Sequence, residues 1–367
     1  MTTLQNQIIL LITITFLFAG ERLPEEKYNG FKVTSGSIEK KIQFTNPGFE
    51  LNERIIDGNS FIIPEIMNSG TMVEPGEPFL PTLNTFYAVE PGKTYQIQVT
   101  ILESETVSNI SVLPFESWEA DQPERGIKGV SYSRNELFPS EIATISEPSV
   151  MRSLTMVQVS LTPFQYNPVT EELTIIHSAE VELIENGTTE MPFIPAKRSR
   201  AFESLYESLV VNYETLSRDE DDYQRPAILY VLPNNIGGLL STVEELMDWK
   251  RRMGYEVNYI SSSNVVNNRN NLKDYIENAY ETWDNPPVHV NIVADAEGSY
   301  DVPTWTDSWS SYNGEGDHPY SLLEGGDQYP EIFLGRLSFD SSSDLNTIIS
   351  KTLNYESTPY MNENWFQ

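Results

Sequence analysis

The sequence predicts an antiparallel β-sandwich followed by a parallel-sheet α/β half domain. Three observations predict it. Apolar residues alternate with polar ones at period two from about Phe31 to Ile184. Strand and helix patterns alternate after Pro226. A charged stretch without clear periodicity separates the two regimes. Period two marks half-buried strands, and strands without intervening helices build antiparallel sheets. Alternating strands and helices build a parallel sheet covered by helices. The 367 residues suffice for two or three ordinary domains.

The elements follow in chain order. Residues 1–20 carry an apolar run, Ile8 to Phe18, closed by Ala19 and Gly20. That run has the length of a signal-peptide core and is too short to span a bilayer comfortably; the alternative is a buried N-terminal strand. Residues 21–195 form the β domain. In "YQIQVTI" one face holds Tyr95, Ile97, Val99 and Ile101; "VQVSL" and "EVELI" alternate likewise. Turn clusters such as "EPGEPFLP", "EPGK" and "ENGTTE" separate the strands. Residues 196–225 read as a charged linker, with a basic patch (Lys197, Arg198, Arg200), a short helix near Phe202–Tyr213 and the acidic run Asp219–Asp222. Residues 226–367 begin with the strand "AILYVL". A helix follows with Leu239, Val243, Leu246, Met247 and Met253 on one face, Ser241 and Glu244 as a capping box, and Gly254 as its stop. The strand "YEVNYI", a helix bearing Leu272, Tyr275, Ile276, Ala279, Tyr280 and Trp283, and the strand "VHVNIV" come next. A long loop from Ala294 to Tyr329, the strand "EIFLGRL" and a last helix from about Ser343 complete the region. Ligands of parallel sheets collect at the carboxyl ends of strands, and a loop of this length exceeds mere connection. "NNIGG" lacks the spacing of a phosphate-binding loop and reads as a turn.

Composition narrows the function classes. The formal net charge of −31 repels phosphate backbones and anionic lipid, so nucleic acid and membrane surfaces are not expected partners. Apart from the N-terminal run, no segment has the length and apolarity of a membrane helix. The chain holds no cysteine, hence no disulfide, thiolate metal site or cysteine nucleophile among these residues.

The stretches "LMDWKRRMGYEVNYI", "YIENAY", "VNIVADAEGSYDVP", "GDHPYSLLEGGDQYPEIFLGRLS" and "LNTIISKTLNYE" of the second half resemble, in content and order, the gingipain family of secreted bacterial cysteine peptidases. "PGEPFLP", "PFQYNP" and "LTIIHSAEVELIE" resemble pieces of the gingipain propeptide. The resemblance implies a caspase-like α/β fold for the second half, and a signal peptide and inhibitory propeptide ahead of it. It also implies proteolysis of protein or peptide substrates by a Cys/His dyad. The dyad follows a Gly-His-Gly strand end that is absent here. The chain is therefore expected to be the N-terminal part of a longer exported zymogen, found outside the cell or at its surface, and to be inactive by itself. The alternative is a non-catalytic exported binding protein with a degenerate caspase-like half.

Asp317, in the Asp-x-x-Tyr motif, is expected to bind the substrate side chain next to the scissile bond; pairing with Arg336 or capping a turn is the alternative. Tyr320 is the second substrate-binding candidate, with loop packing as its other reading. Arg125, in "DQPERGIKG", is the inhibitory candidate of the propeptide, with Lys128 nearby. His318 adjoins Asp317, but adjacent residues of an extended loop point apart, and His289 and His177 lie in strands; no catalytic residue is assigned. No cofactor is required. The family's calcium suggests a Ca²⁺ site among Asp295, Glu297, Asp301, Asp307, Glu315, Glu324 and Asp327, which equally read as solvated surface. Where the family favours Gly before the strand-end Asp, this chain has Ala294.

Overall fold

The computed structural model describes residues 29–33, 40–72, 74–116, 126–190, 198–216, 223–309 and 312–358. The N-terminal run and Arg125 lie outside the described residues. The chain forms two compact units. The first comprises Met1–Pro148, Thr155–Glu190 and Tyr206–Ser217; the second comprises Ser149–Leu154, Met191–Leu205 and Arg218–Gln367.

The first unit is built of antiparallel sheets, as the period-two pattern predicts. One sheet is organised around the long strand Glu172–Thr188, which pairs with Lys93–Ser108 on one side and with Lys41–Thr45 and Phe164–Asn167 on the other. A second sheet sets Pro81–Ala88 against Leu154–Leu161, flanked by Ala143–Ile145. The inward residues of both sheets form one core; Ile42, Phe44, Val181, Leu83, Val159 and Leu161 are each at most 1% exposed. Alternation therefore decides burial. In Glu172–Thr188 the inward Leu173, Ile175, Ala179, Val181 and Leu183 are buried while Glu180 and Glu182 reach outward to Lys41.

The stretch 196–225, expected as a charged linker, has structure in its middle. The helix Arg200–Leu209 buries Phe202 and Tyr206, each 1% exposed. Spacing of four places both rings on one face, so the helix is anchored by apolar burial despite its charged flanks. Beyond it, Asn212 is fixed within the first unit: its Oδ1 accepts from the Ala88 amide at 2.8 Å and its Nδ2 donates to the Ala88 carbonyl at 3.0 Å.

The second unit carries a four-stranded, wholly parallel sheet in the spatial order Glu256–Ile260, Ala227–Val231, His289–Ile292, Phe333–Arg336. The first of these strands in sequence, Ala227–Val231, is fully buried along its length, as expected of a central parallel strand. Helices Leu240–Arg252 and Arg269–Thr282 follow the first and second strands in sequence, and Ser342–Ser357 follows the fourth. Helix Arg269–Thr282 buries Leu272, Ile276, Ala279 and Tyr280 on one face, and Asn268 caps it by accepting from the Asn270 and Asn271 amides. Ser341 caps the last helix through the Asp344 amide. The capping box expected at Ser241 does not form. A 3₁₀ turn at Ile236–Leu239, the "NNIGG" stretch, runs directly into the helix, so Leu239 occupies the cap position and Ser241 lies inside. Gly254 ends that helix at φ +96°, a conformation glycine adopts without strain.

Candidate functional site

Ala227–Val231 is flanked by the next two strands in sequence, one on each side. The chain thus reverses its winding between Ala227–Val231 and His289–Ile292, and a crevice opens outside the carboxyl ends of such strands. Two loops meet there. Asn235, after the first strand, donates from Nδ2 to the Ser299 carbonyl at 2.6 Å. The long loop after the third strand leaves through Val293, Ala294 and Asp295.

Arg336, at the carboxyl end of the last strand, organises this edge. Its Nη1 donates to the carbonyls of Asp295 and Val302 at 2.9 Å each and of Ala294 at 3.3 Å. Its Nε and Nη2 donate to the two oxygens of Asp317, both at 2.7 Å. The Thr304 hydroxyl adds a third bond to Asp317 at 2.8 Å. This is a bidentate guanidinium–carboxylate pair with side chains only 12% and 17% exposed. Both Asp317 oxygens are thus engaged within the unit, and the pairing with Arg336 that the sequence left open is formed. Tyr320 begins from the same turn: its amide donates to the Asp317 carbonyl at 2.9 Å. Its ring is fully buried, and its hydroxyl donates to the Pro303 carbonyl at 2.5 Å. Burial raises the Tyr320 pKa above the ordinary phenol value, so the hydroxyl stays a donor. Tyr320 thus packs the loop, and Asp317 and Arg336 tie it to the strand ends.

The histidines are not brought to this edge as a catalytic set. His289 lies on the third strand, stacked 5.4 Å from Phe333, and burial lowers its pKa. His177 sits in the long strand of the first unit, 3.2 Å from Glu105. His318 is exposed, and its imidazole lies 3.5 Å from the Ser321 hydroxyl. Among the described residues, no three His, Asp or Glu side chains come together to hold a metal ion. Asp295 pairs instead with Asp340, whose pKa is raised chiefly by a hydrogen bond between the two carboxyls.

Sequence reasoning missed a second polar cluster, behind the sheet edge. Glu331 is fully buried; its Oε2 accepts from the amides of Leu323 at 2.6 Å and Glu324 at 3.1 Å. Burial outweighs these two bonds and pushes its pKa up to about 8. Tyr280 donates to Glu324, itself raised mainly by burial and held back by Tyr280 and Arg152. Asp327 and Lys273 complete the charged surroundings. The only sequence signal was the "YPEI" glutamate at the start of an apolar strand.

A carboxyl whose folded pKa lies above its ordinary 4.5 binds a proton more tightly in the folded chain. Its stabilising contribution is complete below pH 4.5 and is lost as pH rises through about 8. The steepest slope for one group is about 1.4 kcal/mol per pH unit. Glu331→Gln keeps an acceptor for the two amides and removes the titration. We therefore expect the wild-type urea midpoint to fall between pH 5 and pH 8, and the fall to shrink in the variant. Equal falls in both proteins would refute the assignment to Glu331.

Residues 33–219 match the Propeptide_C25 family model and residues 221–367 match the Peptidase family C25 model. Gingipain R2 of Porphyromonas gingivalis is 25% identical over 375 residues, covering 98% of this chain and 50% of the relative. Gingipain R1 of the same organism is 25% identical over 333 residues, covering 89% of this chain and 33% of the relative. Lys-gingipain is 24% identical over 330 residues, covering 84% and 18%. The chain thus spans about half the length of gingipain R2 and less of the others. The solved complex of Porphyromonas gingivalis RgpB pro- and mature domains overlaps 51% of this chain and 98% of its own, at 25% identity and a TM-score of 0.43. Propeptide and peptidase models together span nearly all of the sequence in one order, and the chain belongs to peptidase family C25, the gingipain family.

Proposed function

We propose that this chain is the N-terminal part of an exported cysteine endopeptidase precursor, held latent by its own propeptide. The observation that carries the reading is the order of parts: an antiparallel β unit matching the C25 propeptide precedes a parallel-sheet unit matching the C25 peptidase. Among the described residues no helix is long and apolar enough to cross a membrane. The apolar run at Ile8–Phe18 is read as the export signal. In this reading protein or peptide substrates meet the loop edge that Arg336 organises. Asp317 and Tyr320 shape that wall, and Arg125 supplies the inhibitory side chain of the propeptide. The nucleophile cannot be a cysteine of these residues, because they hold none. A thiolate activated by histidine would then be supplied by sequence beyond Gln367.

The test compares two proteins. The chain as it stands is expected to leave Arg- and Lys-peptide substrates uncut. A precursor extended by the downstream coding sequence is expected to gain activity that an alkylating reagent abolishes. Turnover by the present chain that survives alkylation and follows its elution peak would overturn the reading. A downstream sequence without His and Cys, and an inert extended protein, would identify a non-catalytic binding protein instead.

A further inference from the structure

Residues 149–154 lie inside the propeptide match, yet they belong structurally to the second unit. Strand Ser149–Met151 ends in Arg152 and Ser153, at φ +32° and +66°. Two consecutive non-glycine residues in the left-handed region are unusual, and neither is the Asn, Asp or Gly that such a turn prefers. The turn carries Arg152 into the unit, where it is 0% exposed.

The surroundings form a socket shaped for a guanidinium. Nη1 donates to the carbonyls of Glu331 at 2.9 Å and Pro287 at 3.1 Å. Nη2 donates to Gln224 Oε1 at 2.7 Å, and Gln224 is itself fixed by donating to the Pro286 carbonyl at 2.7 Å. The rings of Tyr280 and Phe202 lie 5.3 and 5.5 Å from the guanidinium carbon. Beside it, Asp327 accepts from the Val150 amide at 2.8 Å, which fixes the strand that delivers the side chain. A planar fork with several acceptors and two aromatic faces suits arginine, and a lysine ammonium cannot reproduce it.

We propose that Arg152 is a latch: it keeps the propeptide bound to the peptidase unit after the connecting chain is cut. Arginine buried against fixed carbonyls would leave those acceptors unpaired on leaving, so departure is slow. The proposal rests on the reading of residues 33–219 as a propeptide that is severed from the peptidase. Its readout is retention, so it stands or falls separately from peptidase activity.

The test uses the full chain with Asp219–Asp222 replaced by the recognition sequence of a specific protease. Cutting there leaves Arg152 and Phe202 on one fragment and Gln224, Tyr280, Pro287 and Glu331 on the other. The fragments are followed after dilution by size-exclusion chromatography, with circular dichroism of the intact chain as the folding check. The wild-type fragments are expected to stay together. Arg152→Ala and Arg152→Lys should separate at least tenfold faster, and Arg134→Ala, in the first unit, should match the wild type. Should Arg152→Ala not fold, Gln224→Ala carries the test from the other fragment, with separation expected several-fold faster. Unchanged separation in the folded variants, or wild-type fragments that part at once, would overturn the latch.

Discussion

Arg336→Ala is expected to destabilise the second unit by about 3–5 kcal/mol, the range for removing one partner of a largely buried ion pair. The size comes from what is left behind. Asp317 would keep its charge in a site where its side chain is 17% exposed, with only the Thr304 hydroxyl as a side-chain donor. The carbonyls of Ala294, Asp295 and Val302 would lose the donor they share. Five of the six tryptophans lie in the second unit's stretches, so tryptophan fluorescence in urea reports mainly on it. Asp317→Ala should cost less than Arg336→Ala, because the guanidinium retains its three carbonyls. The double variant should cost less than the sum, since both singles break one pair. Arg336→Lys should recover only part of the loss, because an ammonium cannot fork onto both carboxylate oxygens. A loss below about 1 kcal/mol for Arg336→Ala would place the pair among weak surface bridges and remove it as the organiser of the loop.

Periodicity made most of the fold legible. Leu272, Ile276, Ala279 and Tyr280 recur at helical spacing, and those positions are buried in Arg269–Thr282. Glu180 and Glu182 alternate with Val181 and Leu183, which settles which side of the long strand faces the core. Local signals failed where tertiary context decided. The Ser241 capping box was locally sound, but the chain enters that helix through the preceding 3₁₀ turn. The Met151–Leu154 turn has no sequence signature, because Arg and Ser stand at left-handed positions against their intrinsic preference. The placement of Arg152 depends on acceptors 72 to 179 residues away, which no window along the chain could connect. Of the loop residues, the motif points to Asp317 and Tyr320, and it offers Arg336 only as an alternative partner of Asp317. Glu331 is not legible in the sequence because a carboxyl at the start of a strand ordinarily faces water.

Ile292→Ala is expected to cost about 2–5 kcal/mol, the range for large-to-small changes in a rigid core. Ile292 is fully buried and stands opposite both Val231 and Arg336 in the parallel sheet. It packs with Leu229, Val231, Val290 and Tyr320 in one apolar cluster. Neighbouring strands hold the backbone on both sides, so the site cannot collapse to fill the lost volume, and the upper half of the range is expected. The consequence reaches the loop edge. The Leu337 amide donates to the Ile292 carbonyl at 2.8 Å, directly after Arg336. A shift of this strand end moves the carbonyls of Ala294 and Asp295, which Arg336 ties to Asp317. Ile292→Ala and Arg336→Ala should therefore be non-additive, with a coupling of about 0.5–3 kcal/mol, whereas each should add simply to Tyr355→Ala. Tyr355 is 80% exposed, and its replacement should stay within about 0.5 kcal/mol of wild type. Urea titrations of the three single and three double variants would measure the coupling. Full additivity of Ile292 with Arg336 would show that the loop edge is set by its own polar bonds and not by the sheet core beneath it.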